Sequence, residues 1–113
     1  MKLKIITPLI VFGMLVGVAI ATEVPNNGPA EISIYGGKKG NVDFPHRQHQ
    51  DNLGDCKVCH DIFPKKLGVI KALKEQGKLK KKQVMNNCRG CHKDRAKAGK
   101  KAGPISCKTC HNK

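Results

Sequence analysis

The chain has no tryptophan, one tyrosine and three phenylalanines in 113 residues. Large aromatic surface, the usual filling of a domain core, is therefore almost missing. Acidic residues are scarce too: eight Asp and Glu stand against 22 Lys and Arg, a formal net charge of +14. The one long apolar run ends at Ile20, and no cysteine occurs outside a single repeated pattern. A domain held together by its own side chains is excluded, and something else has to serve as its interior.

That pattern is Cys-x-x-Cys-His. It occurs at Cys56-Lys57-Val58-Cys59-His60, Cys88-Arg89-Gly90-Cys91-His92 and Cys107-Lys108-Thr109-Cys110-His111, and it uses all six cysteines. With five His in the whole chain, chance placement of one behind each pair is on the order of one in ten thousand, so coincidence is not an explanation. The spacing is that of c-type haem attachment. Two thiols add to the vinyl groups of one porphyrin, and the adjoining imidazole lies close enough to bind its iron. Disulfides, zinc and thioredoxin-like redox chemistry are the competing uses of such pairs. Zinc sites set one pair against another and would leave the third unmatched. A thioredoxin motif needs a strand-to-helix junction that the sequence lacks. Three covalently attached haem c groups are expected, bound by Cys56, Cys59 and His60, by Cys88, Cys91 and His92, and by Cys107, Cys110 and His111.

Residues 1–21 have the organisation of a secretory signal, with Lys2 and Lys4 at a positive start, an apolar run from Ile5 to Ile20, and small residues in Ala19-Ile20-Ala21 for cleavage after Ala21. Retention of this run as a short membrane anchor is the alternative. Export agrees with haem attachment outside the bacterial cytoplasmic membrane and predicts a periplasmic location. Losing Lys2 and Lys4 lowers the charge from +14 to +12, which leaves the remainder basic. Nucleic acid is excluded as a partner by export and by the lack of aromatic stacking surface. The lysines then serve either as a solubilising coat or to steer the protein towards acidic faces of redox partners. Membrane contact is expected to be only transient if the signal is cleaved, and the protein to be a monomer.

Residues 22–29, with Pro25, Gly28 and Pro29, are expected to form a flexible leader, and residues 30–113 one domain. Ala30 to Tyr35 and Asn41 to Phe44 alternate polar and apolar residues across the Gly36-Gly37-Lys38-Lys39-Gly40 turn, which predicts a two-stranded hairpin. Pro45 suits the first turn of a helix, placing His46 and His49 on neighbouring positions. These are the only His outside the motifs, which makes both candidate iron ligands. Three irons with two axial positions each need six donors, and the chain has five His. Met85, the only Met beyond the signal, is the candidate sixth. Otherwise Met85 packs on porphyrin, and one iron is five-coordinate or takes Lys or water. A short amphipathic helix is expected between Pro64 and Gly77, followed by the positive run Lys78-Leu79-Lys80-Lys81-Lys82.

The Ile34-Tyr35 pair, the Lys38-Lys39-Gly40-Asn41-Val42 turn, Phe44-x-His46-x-x-His49 and the three motifs together resemble the triheme cytochrome c7 family, small periplasmic relatives of cytochrome c3. The resemblance spans about residues 30–113. It implies a small multihaem cytochrome with little regular secondary structure, an N-terminal two-stranded β-hairpin and short helices wrapped around three haems. It further implies that His46 and His60 hold the first iron, His49 and His92 the second, and His111 with a residue just ahead of Cys88 the third. The chain departs from the family in two places. Where members usually carry His, four residues before the second motif, this sequence has Val84, with Met85 next to it; and the stretch between the first two motifs, residues 61–87, is longer.

Irons ligated on both faces leave no position for substrate, so the expectation is an electron carrier and not an enzyme. By resemblance it would carry electrons between inner-membrane and outer-membrane redox partners in anaerobic respiration. An open third iron would instead make a small terminal reductase or sensor, and a retained signal would make a membrane-anchored relay. If haem supplies the interior, calorimetry of the haem-free chain should show no cooperative melting. A sharp transition there would mean that the polypeptide stabilises itself.

Overall fold

The computed structural model describes residues 26–111. The expected signal over residues 1–21, and residues 22–25 of the expected leader, lie outside the described residues. Strands β1 (Ile32–Ile34) and β2 (Val42–Phe44) pair antiparallel with Ile32 opposite Phe44, Ser33 opposite Asp43 and Ile34 opposite Val42. The alternation read from sequence puts Ile32, Ile34, Val42 and Phe44 half-buried on one face while Ser33 and Asp43 are exposed. A single 3-10 turn, Gly37–Lys39, joins the strands. Gly37 and Gly40 have φ of 64° and 85°, where L-residues are disfavoured. Asn41 brackets the turn, its Nδ2 donating to Ser33 Oγ at 3.2 Å and its Oδ1 accepting from the Gly36 amide at 3.4 Å.

Five helices follow: α1 (His46–Leu53), α2 (Lys57–His60), α3 (Val69–Glu75), α4 (Gln83–Lys97) and α5 (Cys107–Cys110). Pro45 stands one place earlier than expected, as the residue before α1. Gly54 ends that helix in the left-handed region, donating to Gln50 O at 2.9 Å. The helix expected after Pro64 begins only at Val69, because Gly68, at φ 73°, first turns the chain. Its end is closed by the Lys78 amide donating to Leu73 O at 2.9 Å. α3 is fastened to the hairpin by Tyr35, whose ring lies 5.8 Å from Lys71 Nζ and 5.3 Å from Lys74 Nζ. The longest helix, α4, was not foreseen: its sequence has no apolar stripe, and what it offers the interior is thiols and imidazole.

Residues 26–29, the end of the expected leader, are tied to α1. Gln50 Nε2 donates to Asn27 O at 2.7 Å, and the Arg47 amide to Ala30 O at 2.9 Å. Among the described residues no hydrophobic side chain is buried, and no helix packs closely along another. The elements instead surround a common cavity of about 1620 Å³, lined from every helix and both strands. That volume exceeds what one drug-sized ligand fills. No described helix is long and apolar enough to cross a membrane.

α4 starts from strain. Lys82, its N-cap, has φ 61° and is the one non-glycine residue with positive φ among those described. Holding an L-residue there costs about 1–2 kcal/mol. Lys82→Gly should therefore stabilise the holoprotein by up to about 1 kcal/mol after the entropy of the added glycine is counted. Chemical denaturation of the two forms checks this, and a weaker variant would mean that Lys82 makes offsetting contacts.

Candidate metal centres

All three motifs adopt one pose. Cys56 precedes α2 and Cys59 lies within it, Cys88 and Cys91 lie in the middle of α4, and Cys107 and Cys110 bound α5. Within each pair the i,i+3 spacing along a helical turn brings the sulfurs to neighbouring positions. In every case the first Cys is exposed and the second half-buried, and no disulfide joins them. Ser106 starts α5, its Oγ accepting from the Thr109 amide at 3.4 Å and meeting Thr109 Oγ1 at 2.6 Å. The motifs converge. Although Cys88 still meets solvent, the chain crowded around it pushes its thiol up, and Cys59, Cys110 and Cys91 add to that. Burial pushes the Cys59 thiol up as well, with Cys91 and Cys56 adding to it.

The five imidazoles share a second feature, which sequence reading missed. Each Nδ1 lies against a backbone carbonyl: His46 on Pro29 O at 2.9 Å, His49 on Pro45 O at 2.9 Å, His60 on Phe63 O at 2.8 Å, His92 on Pro104 O at 2.6 Å and His111 on Gly40 O at 2.9 Å. A carbonyl can only accept, so every Nδ1 carries a proton, and Nε2 is the nitrogen left to bind a metal. Fixing a ring through the nitrogen that does not ligate is how proteins orient metal-bound imidazole. Three acceptors are proline carbonyls, and Phe63 precedes Pro64, so four of the five sit on backbone that proline stiffens. Pro29, Pro64 and Pro104 were the available signal.

Four of these rings face in pairs. His46 and His60 have centroids 6.1 Å apart at 87°, and His49 and His92 have centroids 6.1 Å apart at 34°. Two metal–imidazole bonds of about 2 Å each, plus the ring radii, require a separation of roughly 6 Å. Each pair is thus spaced for one metal between its Nε2 atoms. Phe44 packs beside both pairs, with ring centroids 4.3 Å from His49 and 6.0 Å from His46. His111 has no imidazole opposite it. It opens, with Cys107, Met85, Lys39, Lys82 and Lys108, on a smaller cavity of about 480 Å³. Among the described residues no three His, Cys, Asp or Glu gather into a group that could hold a metal ion; donors come in opposed twos, which suits an iron whose four equatorial bonds a porphyrin supplies. The donor set and its spacing fit haem.

Comparison with known proteins agrees. The profile of the class III cytochrome c family matches residues 19–111. Cytochrome c7 of Geobacter metallireducens is 34% identical over 84 residues, covering 74% of this chain and 78% of the relative. Cytochrome c3 of Desulfuromonas acetoxidans is likewise 34% identical over 84 residues, covering 74% of this chain and 100% of the relative. Among solved structures, the triheme cytochrome PpcA of Geobacter sulfurreducens superposes with a TM-score of 0.53 at 31% identity, over 75% of this chain and 100% of that one. PpcE, a cytochrome c7 of the same organism, gives 0.51 at 30% identity, over 74% and 97%. The fold and the paired imidazoles are those of a small multihaem electron carrier. The chain belongs to the class III cytochrome c family, among the triheme c7 proteins.

Gly103 shows how tightly the His92 ring is seated. A Cβ there would lie 2.6 Å from His92 Cε1 and 2.9 Å from Nε2. Arg89 Nε, donating to Ile105 O at 2.8 Å, and Arg95 Nε, donating to Lys101 O at 3.2 Å, hold this loop over α4. Gly103→Ala should displace the His92 ring and shift the potential of one haem of the holoprotein, with the others unmoved. A site-resolved redox titration checks this, and an unchanged set of potentials would show that the loop yields instead.

Proposed function

We propose that this protein is a periplasmic electron carrier bearing three covalently attached c-type haems, exported by residues 1–21 and passing electrons between inner-membrane and outer-membrane redox partners. The observation that carries this reading is the uniform Nδ1 anchoring of five imidazoles, four of them set in opposed pairs. When bound, each haem supplies a one-electron iron couple. The chain's part is to keep that couple's surroundings fixed. His46 with His60 and His49 with His92 would hold the first two irons, each pair from its Nε2 atoms. Backbone carbonyls stop their rings turning, and the Cys pairs anchor each porphyrin edge. Ligands held this way need little rearrangement when an electron arrives, and they leave no coordination position for a substrate.

The surface supports a partner with an acidic face. Eight lysines lie between residues 65 and 82 against a single acid, Glu75, which lies 3.8 Å from Lys71 Nζ. Excess positive charge of this kind raises encounter rates with anionic surfaces and loses its reach as salt rises. Electron exchange with an acidic redox partner should therefore slow steeply with ionic strength in stopped-flow measurements.

Mass spectrometry of the protein exported by a host with cytochrome c maturation machinery tests the whole reading. The expected product starts at Thr22, carries three haems and is red. A colourless polypeptide of unmodified mass would overturn it, and a product retaining residues 1–21 would make it a membrane-tethered relay.

A further inference from the structure

We propose that Met85 Sδ and His111 Nε2 are the two axial donors of the third haem, which makes that centre the highest in potential of the three. The assignment rests on the electron-carrier reading above and adds to it a site of different chemistry. His46, His49, His60 and His92 are committed to two pairs with ring centroids 6.1 Å apart. His111 is left with a free Nε2, its Nδ1 being held by Gly40 O at 2.9 Å. The cavity on which it opens also contains the first thiol of its own motif, Cys107, together with Met85. Attachment thiol, proximal imidazole and a soft thioether thus line one space.

The placement of Met85 follows from the backbone. The strained Lys82 launches α4, with Lys80 N donating to Gln83 Oε1 at 2.9 Å and Gln83 N to Lys80 O at 3.1 Å fixing where the helix begins. Val84 and Met85 then fall in the first turn, about 100° apart around the axis. Met85 lines the cavity of His111, whereas Val84 lines only the larger one. The start of the helix at Lys82 is therefore what turns residue 85 towards the third site.

Two effects act on that iron in the same direction. A thioether stabilises ferrous iron relative to a second imidazole. Lys39, Lys82 and Lys108 also line the cavity, and positive charge beside the iron disfavours the more positive ferric state. The same lysines are the competing ligands, so the test must report sulfur specifically.

In the ferric holoprotein the thioether–iron bond gives a far-red charge-transfer band, and in the reduced protein it gives strongly upfield methionine methyl resonances. The wild type should show both. Met85→Leu should lose both while keeping three haems by mass. Met85→His should lose them while remaining low-spin, and the highest of the three potentials should fall to the range of the other two. Three haems with no such band in the wild type, a band surviving Met85→Leu, or an unmoved highest potential in Met85→His would each overturn the assignment. If Met85→Leu does not accumulate, Met85→His carries the test, since it supplies the donor type that the other irons use. A product without three haems would instead overturn the proposed function itself.

Discussion

The architecture depends on hydrogen bonds between backbone carbonyls and the Nδ1 atoms of five imidazoles. Each is modest in net energy, about 1 kcal/mol. It leaves Nε2 as the nitrogen that can bind metal, and for His46, His92 and His111 it ties the ring to a stretch of chain 17, 12 and 71 positions away. Pro29, Pro45, Phe63, Pro104 and Gly40 come from the N-terminal segment, the start of α1, the stretch before α3, the loop after α4 and the hairpin turn. Much of the irregular chain is where it is because a carbonyl has to meet a ring.

That constraint explains why so little regular structure suffices. The strands are three residues long, and two helices have four, lengths that are unstable on their own. With no hydrophobic side chain buried among the described residues, geometry is fixed locally by positive-φ glycines, prolines and short caps. The apolar faces of the hairpin and the helices point into a shared space sized for several large planar groups. Interior and functional centre are the same region, so stability and redox tuning cannot be adjusted separately.

How much of this could be read beforehand follows from the range of the interactions. Cys-x-x-Cys-His is a contiguous code, and the alternation of Ile32, Ile34, Val42 and Phe44 is a period-two signal, so both attachment and hairpin were legible. His46 and His49 stood out by counting donors. α4 was not legible, since helical periodicity is sought in apolar side chains and this helix turns Cys88, Cys91 and His92 inward. The carbonyl partners were less legible: Pro29 falls in the expected leader, and a proline marks stiff backbone without showing what its carbonyl will meet. Counting alone raised Met85 as a sixth donor; that it opens on the smaller cavity beside His111 while Val84 lines only the larger one depends on where Lys82 starts the helix.

The bond from His111 to Gly40 spans 71 positions of sequence. Gly36 sits in the same contact, where a Cβ would lie 2.9 Å from His111 Nδ1 and collide with Gly40 O. The hairpin turn and the last motif are therefore mechanically one piece. A side chain added at Gly36 would be felt at the last motif. Any rebuilding of the opening turn would have to reset the imidazole of the closing motif as well.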